Sequence, residues 1–263
     1  MNAWLHKCLA EPRLAGVDVD SGHLVEVHRS ILTGKPMIRE VFLEIYRACL
    51  DADRRLLRGQ GLQVEIGAGS SFFKEVCPSL ISTDIKAAAH LDMVVDAQAM
   101  PFGDRAVRTV FGIHCFHHLP RPDQFFAELE RVLVPGGGCV LVEPFHGPVA
   151  RVFFRRLFET ETFDTRQPSW HTESTGPMRG ANQALSYIVF VRDALEFARR
   201  YPGLEIVERR PLTNYPRYLL SGGLNFRALV PAWTGPAIKM VETLGSPLAH
   251  VLALHHMIVL RRR

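Results

Sequence analysis

Residues 63–72, QVEIGAGSSF, decide the fold that this sequence predicts. Val64, Glu65 and Ile66 predict a short strand that is apolar enough to be buried, and Gly67 and Gly69 allow the sharp turn that follows it. A helix directly after the turn would complete the corner at which doubly wound sheets bind nucleotides. Two glycines also suit a plain connection between a strand and a helix, so the interpretation depends on the rest of the chain.

The segments that follow alternate between strand and helix patterns. Four further strands are predicted at residues 80–83, 93–95, 108–113 and 139–143. A short helix is predicted at residues 72–76, and the spacing of Phe125, Phe126 and Leu129 predicts an amphipathic helix over residues 122–133. This alternation indicates a parallel sheet with right-handed crossovers. Later strands are predicted at residues 204–209 and 252–260, and a further helix at residues 192–201.

The segments outside this core define the expected domain organisation. We expect an N-terminal helical extension over residues 1–60 and one domain over residues 61–263, with substrate-specific insertions at residues 145–190 and 212–250. A helix predicted over residues 38–57 either packs on the sheet or closes over the ligand, and packing is the preferred interpretation. The insertions are longer than simple connections, so we expect them to form a substrate pocket or an association surface.

Composition narrows the functional classes. The chain is 47% hydrophobic and 22% charged with a net charge of +4, which suits a soluble globular protein. Its basic residues are scattered, which argues against nucleic acid as a partner. Five cysteines are spread singly, as in the reduced thiols of a cytoplasmic protein. The N-terminus lacks a secretion signal, and no run of about 18 apolar residues is present to span a membrane.

Five sequence elements occur in an order typical of one family. They are Glu65 before the glycine turn, Asp84 after the second strand, DAQAMPF at residues 96–102, FHHLPRP at 116–122 and ELERVLVPGGG at 128–138. Over residues 62–143 the chain therefore resembles the class I S-adenosylmethionine-dependent methyltransferases. The resemblance implies an α/β fold, with a Rossmann-like, doubly wound, mostly parallel sheet of seven strands in which the last strand is antiparallel.

The resemblance also implies where the cofactor, S-adenosyl-L-methionine, binds. In the family the glycine turn lies against the methionine part of the cofactor, the second-strand acid binds the ribose, and the acid after the third strand meets the adenine amino group. Carried over, these roles fall on Glu65, Gly67, Ala68, Gly69, Asp84, Asp96 and Ala97. By its position just past the fourth strand, His114 is expected to line the cofactor or acceptor side.

Two rival ligand classes fit this sequence less well. A dinucleotide dehydrogenase would need a third glycine where Phe72 stands, since that glycine permits close packing of helix and strand. The Asn/Asp-Pro-Pro-Tyr motif that DNA amino-methyltransferases carry after the fourth strand does not occur here. Both observations favour a methyltransferase that acts on a small molecule.

Several side chains near the predicted strand ends are candidates for a general base. A base is needed only when the acceptor must lose a proton early, as a hydroxyl can. His114 and His146 are the catalytic candidates, from a set that also contains His117, His118 and Glu143. A structural role is the competing interpretation for each of these histidines. No metal is expected, because no cysteine or carboxylate at suitable spacing completes a tetrahedral ligand set around the histidines.

The remaining sequence bears on the acceptor. Residues 148–158, PVARVFFRRLF, are apolar and basic, so this segment lies on an anionic membrane, closes over an apolar acceptor, or simply packs on the domain. The aromatic content of the second insertion suggests a greasy or amphipathic acceptor. We expect a cytoplasmic methyltransferase that modifies a small or lipid-like molecule at oxygen, with peripheral membrane contact as an option. The alternative is a non-catalytic partner subunit with the same fold.

Overall fold

A computed structural model of the chain describes residues 9–157, 161–173, 176 and 179–263. Its centre is a seven-stranded sheet, and its strands run in chain order as β1 Leu62–Ile66, β2 Ile81–Asp84, β3 Met93–Val94, β4 Val107–Ile113, β5 Leu133–Pro144, β6 Leu204–Pro211 and β7 His255–Arg262. Their spatial order is β3-β2-β1-β4-β5-β7-β6. Strands β1 to β5 pair in parallel, and β7 is antiparallel to both β5 and β6. The predicted fold class is confirmed.

The register of the parallel strands brings their last residues to one edge of the sheet. Ile66 of β1 pairs with Gly112 of β4, and Asp84 of β2 pairs with Val94 of β3. We call this rim, formed by the ends of β1 to β5 and the loops that follow them, the carboxyl edge. In open α/β sheets, ligands bind at such an edge.

Helices cover both faces of the sheet. Their bounds are α1 Gly22–Gly34, α2 Pro36–Leu56, α3 Pro122–Val132, α4 Pro148–Leu157, α5 Leu185–Tyr187, α6 Ala194–Arg200, α7 Tyr215–Leu220, α8 Gly235–Leu244 and α9 Ala249–Leu252, with a π-helix at Ile188–Arg192 between α5 and α6. Helices α2, α3 and α4 each begin at a proline, which suits a first helical position because the N–H there has no partner within the helix. Helix α4 ends one residue before the predicted limit, and residue 158 lies outside the described part of the chain.

Two apolar layers hold the helices against the sheet. On one face, α2 buries Ile45 and Cys49 against Phe111 of β4 and Val259 of β7. The predicted helix over residues 38–57 is therefore confirmed, and it packs on the sheet. On the other face, α3, α6 and the residue that follows α6 contribute a group of aromatic side chains that packs on the apolar side chains of β4 and β5, namely Phe125, Phe126, Phe197 and Tyr201.

The corner after β1 differs from the prediction. Instead of a helix, the chain forms a single 3-10 turn at Phe73–Glu75. The Ser71 hydroxyl accepts a hydrogen bond from the Phe73 N–H at 2.9 Å, and Pro78 follows too soon for further turns to form. The turn is therefore held by local hydrogen bonds and by the elements around it, without the long helix of a dinucleotide-binding corner.

Strand β5 is also longer than predicted. The glycines expected to stop helix α3 are part of the strand, which begins at Leu133. A Cβ atom on Gly138 would collide with the backbone carbonyl of Leu260, so glycine lets β7 approach closely here. Sequence reasoning treated these glycines only as a helix stop.

The second insertion is fastened to the N-terminal helices by buried charges. Arg217 of α7 is only 2% exposed. Its guanidinium pairs with Glu242 of α8 at 2.7 Å and with Glu44 of α2 at 2.5 Å. Because a buried charge without a partner is costly, these ion pairs fix the insertion relative to α2. Among the described residues, no helix is both long and apolar enough to cross a membrane.

Candidate active site

The glycine turn after β1 has the shape expected of a ligand cradle. Gly67 and Gly69 adopt φ angles of +58° and +49°, which residues other than glycine rarely adopt. A Cβ atom on Gly67 would collide with Cys115. At Gly69 the nearest atom to such a Cβ would be 3.9 Å away. The turn therefore packs tightly on the loop after β4 at Gly67, whereas at Gly69 a Cβ would be only in ordinary contact with Asp84.

Asp84 is fixed at the end of β2 by the neighbouring backbone. Its Oδ2 atom accepts a hydrogen bond from the Gly69 N–H at 2.8 Å, and its Oδ1 atom accepts one from the Lys86 N–H at 2.8 Å. The predicted ribose-binding acid is therefore in direct contact with the predicted glycine turn. Each oxygen retains lone pairs for a further donor.

Asp96 and Ala97 follow β3 at the same edge. The Val95 N–H donates to the Asp84 carbonyl at 2.9 Å, which brings this loop beside the end of β2. The Oδ1 atom of Asp96 accepts hydrogen bonds from the Gln98 backbone N–H at 2.8 Å and from its side-chain amide at 3.2 Å. Asp96 is half-buried and Ala97 is buried, so the carboxylate lies at the surface of the carboxyl edge.

Glu65 lies inside the protein, and its contacts are with neighbouring serines. The carboxylate is 2% exposed, and the Ser82 hydroxyl donates to its Oε2 atom at 3.3 Å. Burial raises the pKa of Glu65 to about 7, although hydrogen bonds from Ser71 and Ser82 act in the opposite direction. The geometry thus brings Glu65 beneath the glycine turn, whereas Asp84 and Asp96 lie on the rim.

The N-terminal segment covers the glycine turn, which sequence reasoning did not find. Arg29 of α1 donates to the Ser71 carbonyl at 2.6 Å, and its guanidinium lies 4.2 Å from the centre of the Phe72 ring. The Lys86 ammonium donates to the Val19 carbonyl at 2.8 Å. The signal in the sequence was weak, because single basic residues in a helix ordinarily face solvent.

His114 occupies a strained position directly after β4. Its φ angle is +54°, a region that side chains other than glycine enter at a cost of order 1–3 kcal/mol. Its ring meets the ring of His255 edge-on with centroids 4.5 Å apart, and its Nε2 atom is buried without a hydrogen-bond partner among the described residues. Burial lowers the pKa of His114 to about 4. The imidazole is therefore neutral at pH 7 and able to hydrogen-bond a ligand.

His146 lies apart from His114, so the structure does not bring the two catalytic candidates together. Its ring packs on Tyr187, with centroids 4.5 Å apart, and lies 6.0 Å from the ring of His256. His256 and His255 are neighbours on β7, and successive strand residues point to opposite faces of a sheet. The ring of His255 contacts His114, whereas that of His256 is on the side of His146.

Glu143 shapes the loop after β4. This carboxylate is completely buried, and its Oε1 atom accepts hydrogen bonds from the N–H groups of Cys115 at 3.0 Å and Phe116 at 2.8 Å. Its Oε2 atom is 2.5 Å from His117 Nδ1. Burial alone would raise the pKa of Glu143, but the charge and hydrogen bond of His117 outweigh it and lower that pKa. With both oxygens engaged, Glu143 is better suited to position this loop than to accept a substrate proton.

The position of Glu161 corrects the expectation that no carboxylate lies near the histidines to bind a metal. The sequence offered no carboxylate at suitable spacing, but the fold brings Glu161 of the first insertion to the two neighbouring histidines. Its carboxylate oxygens lie 3.4 Å from His117 Nε2 and 3.9 Å from His118 Nε2. The ligand atoms of all three side chains lie within 4.8 Å of one another. Spacing along the chain carried no signal for this group.

An apolar cavity of about 350 Å³ opens beside the carboxyl edge. Most of its wall comes from the second insertion, with contributions from α4 and the N-terminal segment; the lining includes Leu9, Phe153, Tyr218, Leu219, Leu224 and Phe226. The ring of Tyr218 contacts the ring of His255, with centroids 4.9 Å apart. His255 in turn contacts His114. A continuous row of three rings therefore leads from the cavity to the end of β4.

Comparison with known proteins supports the fold. A family model described as a methyltransferase domain matches residues 64–141. No curated protein sequence is significantly similar to the chain.

Two solved structures illustrate the likeness. Geranyl diphosphate C-methyltransferase from Streptomyces coelicolor is 15% identical, with 84% of this chain and 78% of that chain covered and a TM-score of 0.48. Phosphoethanolamine N-methyltransferase 2 from Haemonchus contortus is 15% identical, with 82% and 52% covered and a TM-score of 0.43. Likeness at this level concerns the fold alone and does not identify the acceptor of this chain.

Proposed function

We propose that this chain, whose residues 64–141 match a family model described as a methyltransferase domain, is a class I S-adenosylmethionine-dependent methyltransferase that transfers a methyl group to an oxygen atom of a small acceptor with an apolar body. The fold brings the glycine turn, Asp84, Asp96 and His114 to one edge. The observation that carries the proposal is the apolar cavity, which the ring of Tyr218 joins through His255 to His114.

Cofactor binding is assigned to the carboxyl edge. The uncrowded backbone at Gly69 and the lone pairs left on Asp84 and Asp96 suit a ligand that carries a ribose and an adenine amino group. The sulfonium of S-adenosylmethionine supplies an activated methyl group when it is bound there. In this assignment Gly67, Ala68 and Gly69 lie beside the methionine part, Asp84 binds the ribose hydroxyls, and Asp96 with Ala97 meets the adenine. Glu65 supports the turn from below.

The protein's own contribution to the reaction is to position the acceptor and to exclude water. An acceptor held in line with the methyl group reacts in an effectively unimolecular step. The N-terminal segment, through Arg29 and Lys86, covers the turn from solvent. His114, neutral and with an unpartnered Nε2 atom among the described residues, is proposed to hydrogen-bond the acceptor hydroxyl. His146 is a weaker candidate because its contacts are with a separate group of rings.

Shape and polarity of the cavity support an apolar acceptor. Its wall is almost entirely carbon, and tyrosine is the residue where it meets the histidines. Apolar pockets with few polar groups at one end are typical of sites that orient a hydrophobic ligand by its polar group. The expected acceptor therefore has an apolar body with a hydroxyl at one end.

We also propose peripheral contact with anionic membranes, next to the cavity. Helix α4 exposes Arg151, Arg155 and Arg156, and α9 packs against it. Helix α8 exposes the apolar residues Met240 and Leu244, of which Leu244 is 75% exposed. Exposed basic and apolar residues both suit contact with an anionic lipid surface. Less of the Arg155→Glu variant than of wild type should co-sediment with anionic liposomes. Arg199→Glu on α6 is the control and should co-sediment like wild type. If neither wild type nor the variants appear in the pellet, the membrane contact is refuted.

The cellular setting and the domain division remain predictions. The described cysteines Cys49, Cys77, Cys115 and Cys139 are all free thiols, which supports a reducing, cytoplasmic compartment. The boundary near residue 60 is supported by the difference between the helices that precede β1 and the alternating elements that follow it.

A cavity-filling variant tests the acceptor site. The enzyme is incubated with radiolabelled S-adenosylmethionine and a cell extract, and the label in the organic and aqueous phases is counted. Leu224→Trp should abolish transfer to the organic phase and leave cofactor affinity unchanged. The matched control is Leu195→Trp, because Leu195 is 83% exposed on α6. Label only in water-soluble products would refute an apolar acceptor, and cofactor binding without any transfer would favour the non-catalytic partner subunit.

A further inference from the structure

We propose that His117, His118 and Glu161 form a binding site for one divalent transition-metal ion of the zinc class. His117 and His118 follow β4, and Glu161 belongs to the first insertion. Each of the three side chains offers one ligand atom within 4.8 Å of the others. Two histidines and a glutamate are a ligand set of zinc sites that keep a coordination position open. No part of the proposed methyl transfer requires this ion.

The separations suit a common ion. Zinc bonds to histidine nitrogen and carboxylate oxygen are about 2.0–2.2 Å long, so tetrahedral ligand atoms lie roughly 3.3–3.6 Å apart. His117 Nε2 and Glu161 Oε2 are already 3.4 Å apart, and His118 Nε2 is 3.9 Å from Glu161 Oε1. The remaining separations are up to 4.8 Å, so His118 would move toward the other two ligands when the ion binds. The 3.4 Å separation is also too long for a good hydrogen bond between His117 and Glu161.

The surroundings of His117 are those of a metal ligand. Its Nδ1 atom lies 2.5 Å from Glu143 Oε2, and Glu143 is anchored by two backbone N–H groups. Histidines that bind metals ordinarily donate their other ring N–H to a carboxylate, which fixes the tautomer and turns the free nitrogen toward the ion. Glu143 performs this task here, and His117 Nε2 consequently faces Glu161.

Unmet hydrogen bonds give a second, independent indication. Among the described residues, His118 Nδ1 and Gln183 Oε1 are buried and have no hydrogen-bond partner. Gln183 is 3% exposed, and its amide nitrogen donates to Glu161 Oε2 at 2.7 Å. Buried polar atoms seldom lack partners, and a water molecule on a bound ion would donate to Gln183 Oε1. Among the described residues, Glu143 and Glu161 form ion pairs only with histidines, so a bound ion would replace the proton of His117 between the two carboxylates.

The position of the site suggests what the ion would do. The charge of Glu161 acts on Tyr218 in the cavity wall and on His114 at the end of β4. If the proposed function is correct, an ion at this site would lie near the polar end of the acceptor. Metal binding itself does not depend on that function and is measured without cofactor or acceptor.

The test is a metal titration of the full chain after treatment with a chelator. Zn²⁺ is added in competition with a chromophoric chelator, and Co²⁺ is added separately to record its visible absorption. One saturable equivalent per chain is expected, with the intense bands of tetrahedral Co²⁺. His118→Asn and Glu161→Gln should each weaken Zn²⁺ binding at least about tenfold, since loss of even a supporting carboxylate has an effect of about 10–100-fold. His23→Asn, at an exposed position on α1, should bind like wild type.

The outcomes separate this proposal from misfolding and from the cofactor assignment. Circular dichroism and S-adenosylhomocysteine affinity of the variants should match wild type, which shows that the fold and the carboxyl edge are intact. If Zn²⁺ does not bind, or binds equally to wild type and to both folded variants, the three side chains are only an ion-paired cluster. Loss of metal binding with cofactor binding retained supports the metal site alone.

Discussion

Replacement of Asp84 by alanine tests the proposed cofactor site most directly. In the structure this carboxylate already accepts hydrogen bonds from the N–H groups of Gly69 and Lys86, each at 2.8 Å, so it is held in place before any ligand arrives. In the proposed complex it accepts two more from the ribose hydroxyls. Hydrogen bonds to a charged group contribute about 1.5–3 kcal/mol each. The loss of two therefore predicts at least about 3 kcal/mol, or roughly a hundredfold weaker binding.

The same substitution also removes two backbone contacts, one with the glycine turn at Gly69 and one with Lys86 in the loop after β2. We expect a loss of roughly 2 kcal/mol in the free energy of unfolding, which thermal denaturation would record. Asp84→Asn, which retains the shape of the side chain, serves as a second variant if the alanine variant unfolds. Asp104→Ala is the matched control, because the Asp104 carboxylate is 76% exposed and pairs with Arg131 on the protein surface.

Isothermal titration calorimetry with S-adenosylhomocysteine measures the affinity, on samples whose circular dichroism spectra match wild type. The expected order is wild type equal to Asp104→Ala, with both Asp84 variants much weaker. If a folded Asp84→Ala protein binds the ligand as tightly as wild type, the ribose does not lie at the end of β2. The assignment of Asp96 and Ala97 to the adenine would then fail as well, since it depends on the same placement.

Three further substitutions test the physical interpretation of the fold and the site. For Glu65→Gln, the raised pKa of Glu65 means that the folded protein binds a proton more tightly than the unfolded chain. Wild-type stability should therefore fall relative to the variant by roughly 3 kcal/mol as the pH rises from about 4.5 to above 7. If urea denaturation gives the same pH dependence of stability for both proteins, this reasoning is contradicted. Arg217→Ala should destabilise the fold by about 3–5 kcal/mol because it leaves the buried Glu242 unpaired. Its control is Lys239→Ala, which removes a half-exposed partner of Glu44 and should change the stability by less than about 1 kcal/mol. Equal melting temperatures for the two variants would contradict the prediction. Gly67→Ala should lower both stability and cofactor affinity, because the φ angle of Gly67 is +58° and the added Cβ meets Cys115. Gly103→Ala is the control, because a Cβ at Gly103 has open space. The melting temperatures of the two variants are compared with and without S-adenosylhomocysteine.

These predictions share one structural feature, which is that the site is assembled from short loops at the ends of different strands. Asp84 is fixed by the glycine turn, Glu143 of β5 fixes the loop after β4, and Arg29 of α1 covers the turn. A change in any one loop is therefore expected to affect its neighbours. For that reason each experiment measures folding and ligand affinity on the same protein.

The sequence by itself determined the sheet and the edge at which the candidate site lies. Apolar runs separated by glycine and proline predict where strands lie, because a strand buried on both faces is mostly apolar. The order of such strands along the chain then brings Asp84, Asp96 and His114 to one rim. These features depend on local composition and on the handedness of crossover connections, and both can be read from adjacent residues.

Only the tertiary structure decided which distant side chains meet. Glu161 reaches His117 and His118, Arg217 pairs with Glu44, and the second insertion closes a cavity at Tyr218. Contacts of this kind join segments far apart in the chain, and their residues are ordinary polar or apolar types that carry no periodic pattern. Because such a contact depends on how whole elements pack, its energy comes from burial and charge pairing, which no local stretch of sequence specifies.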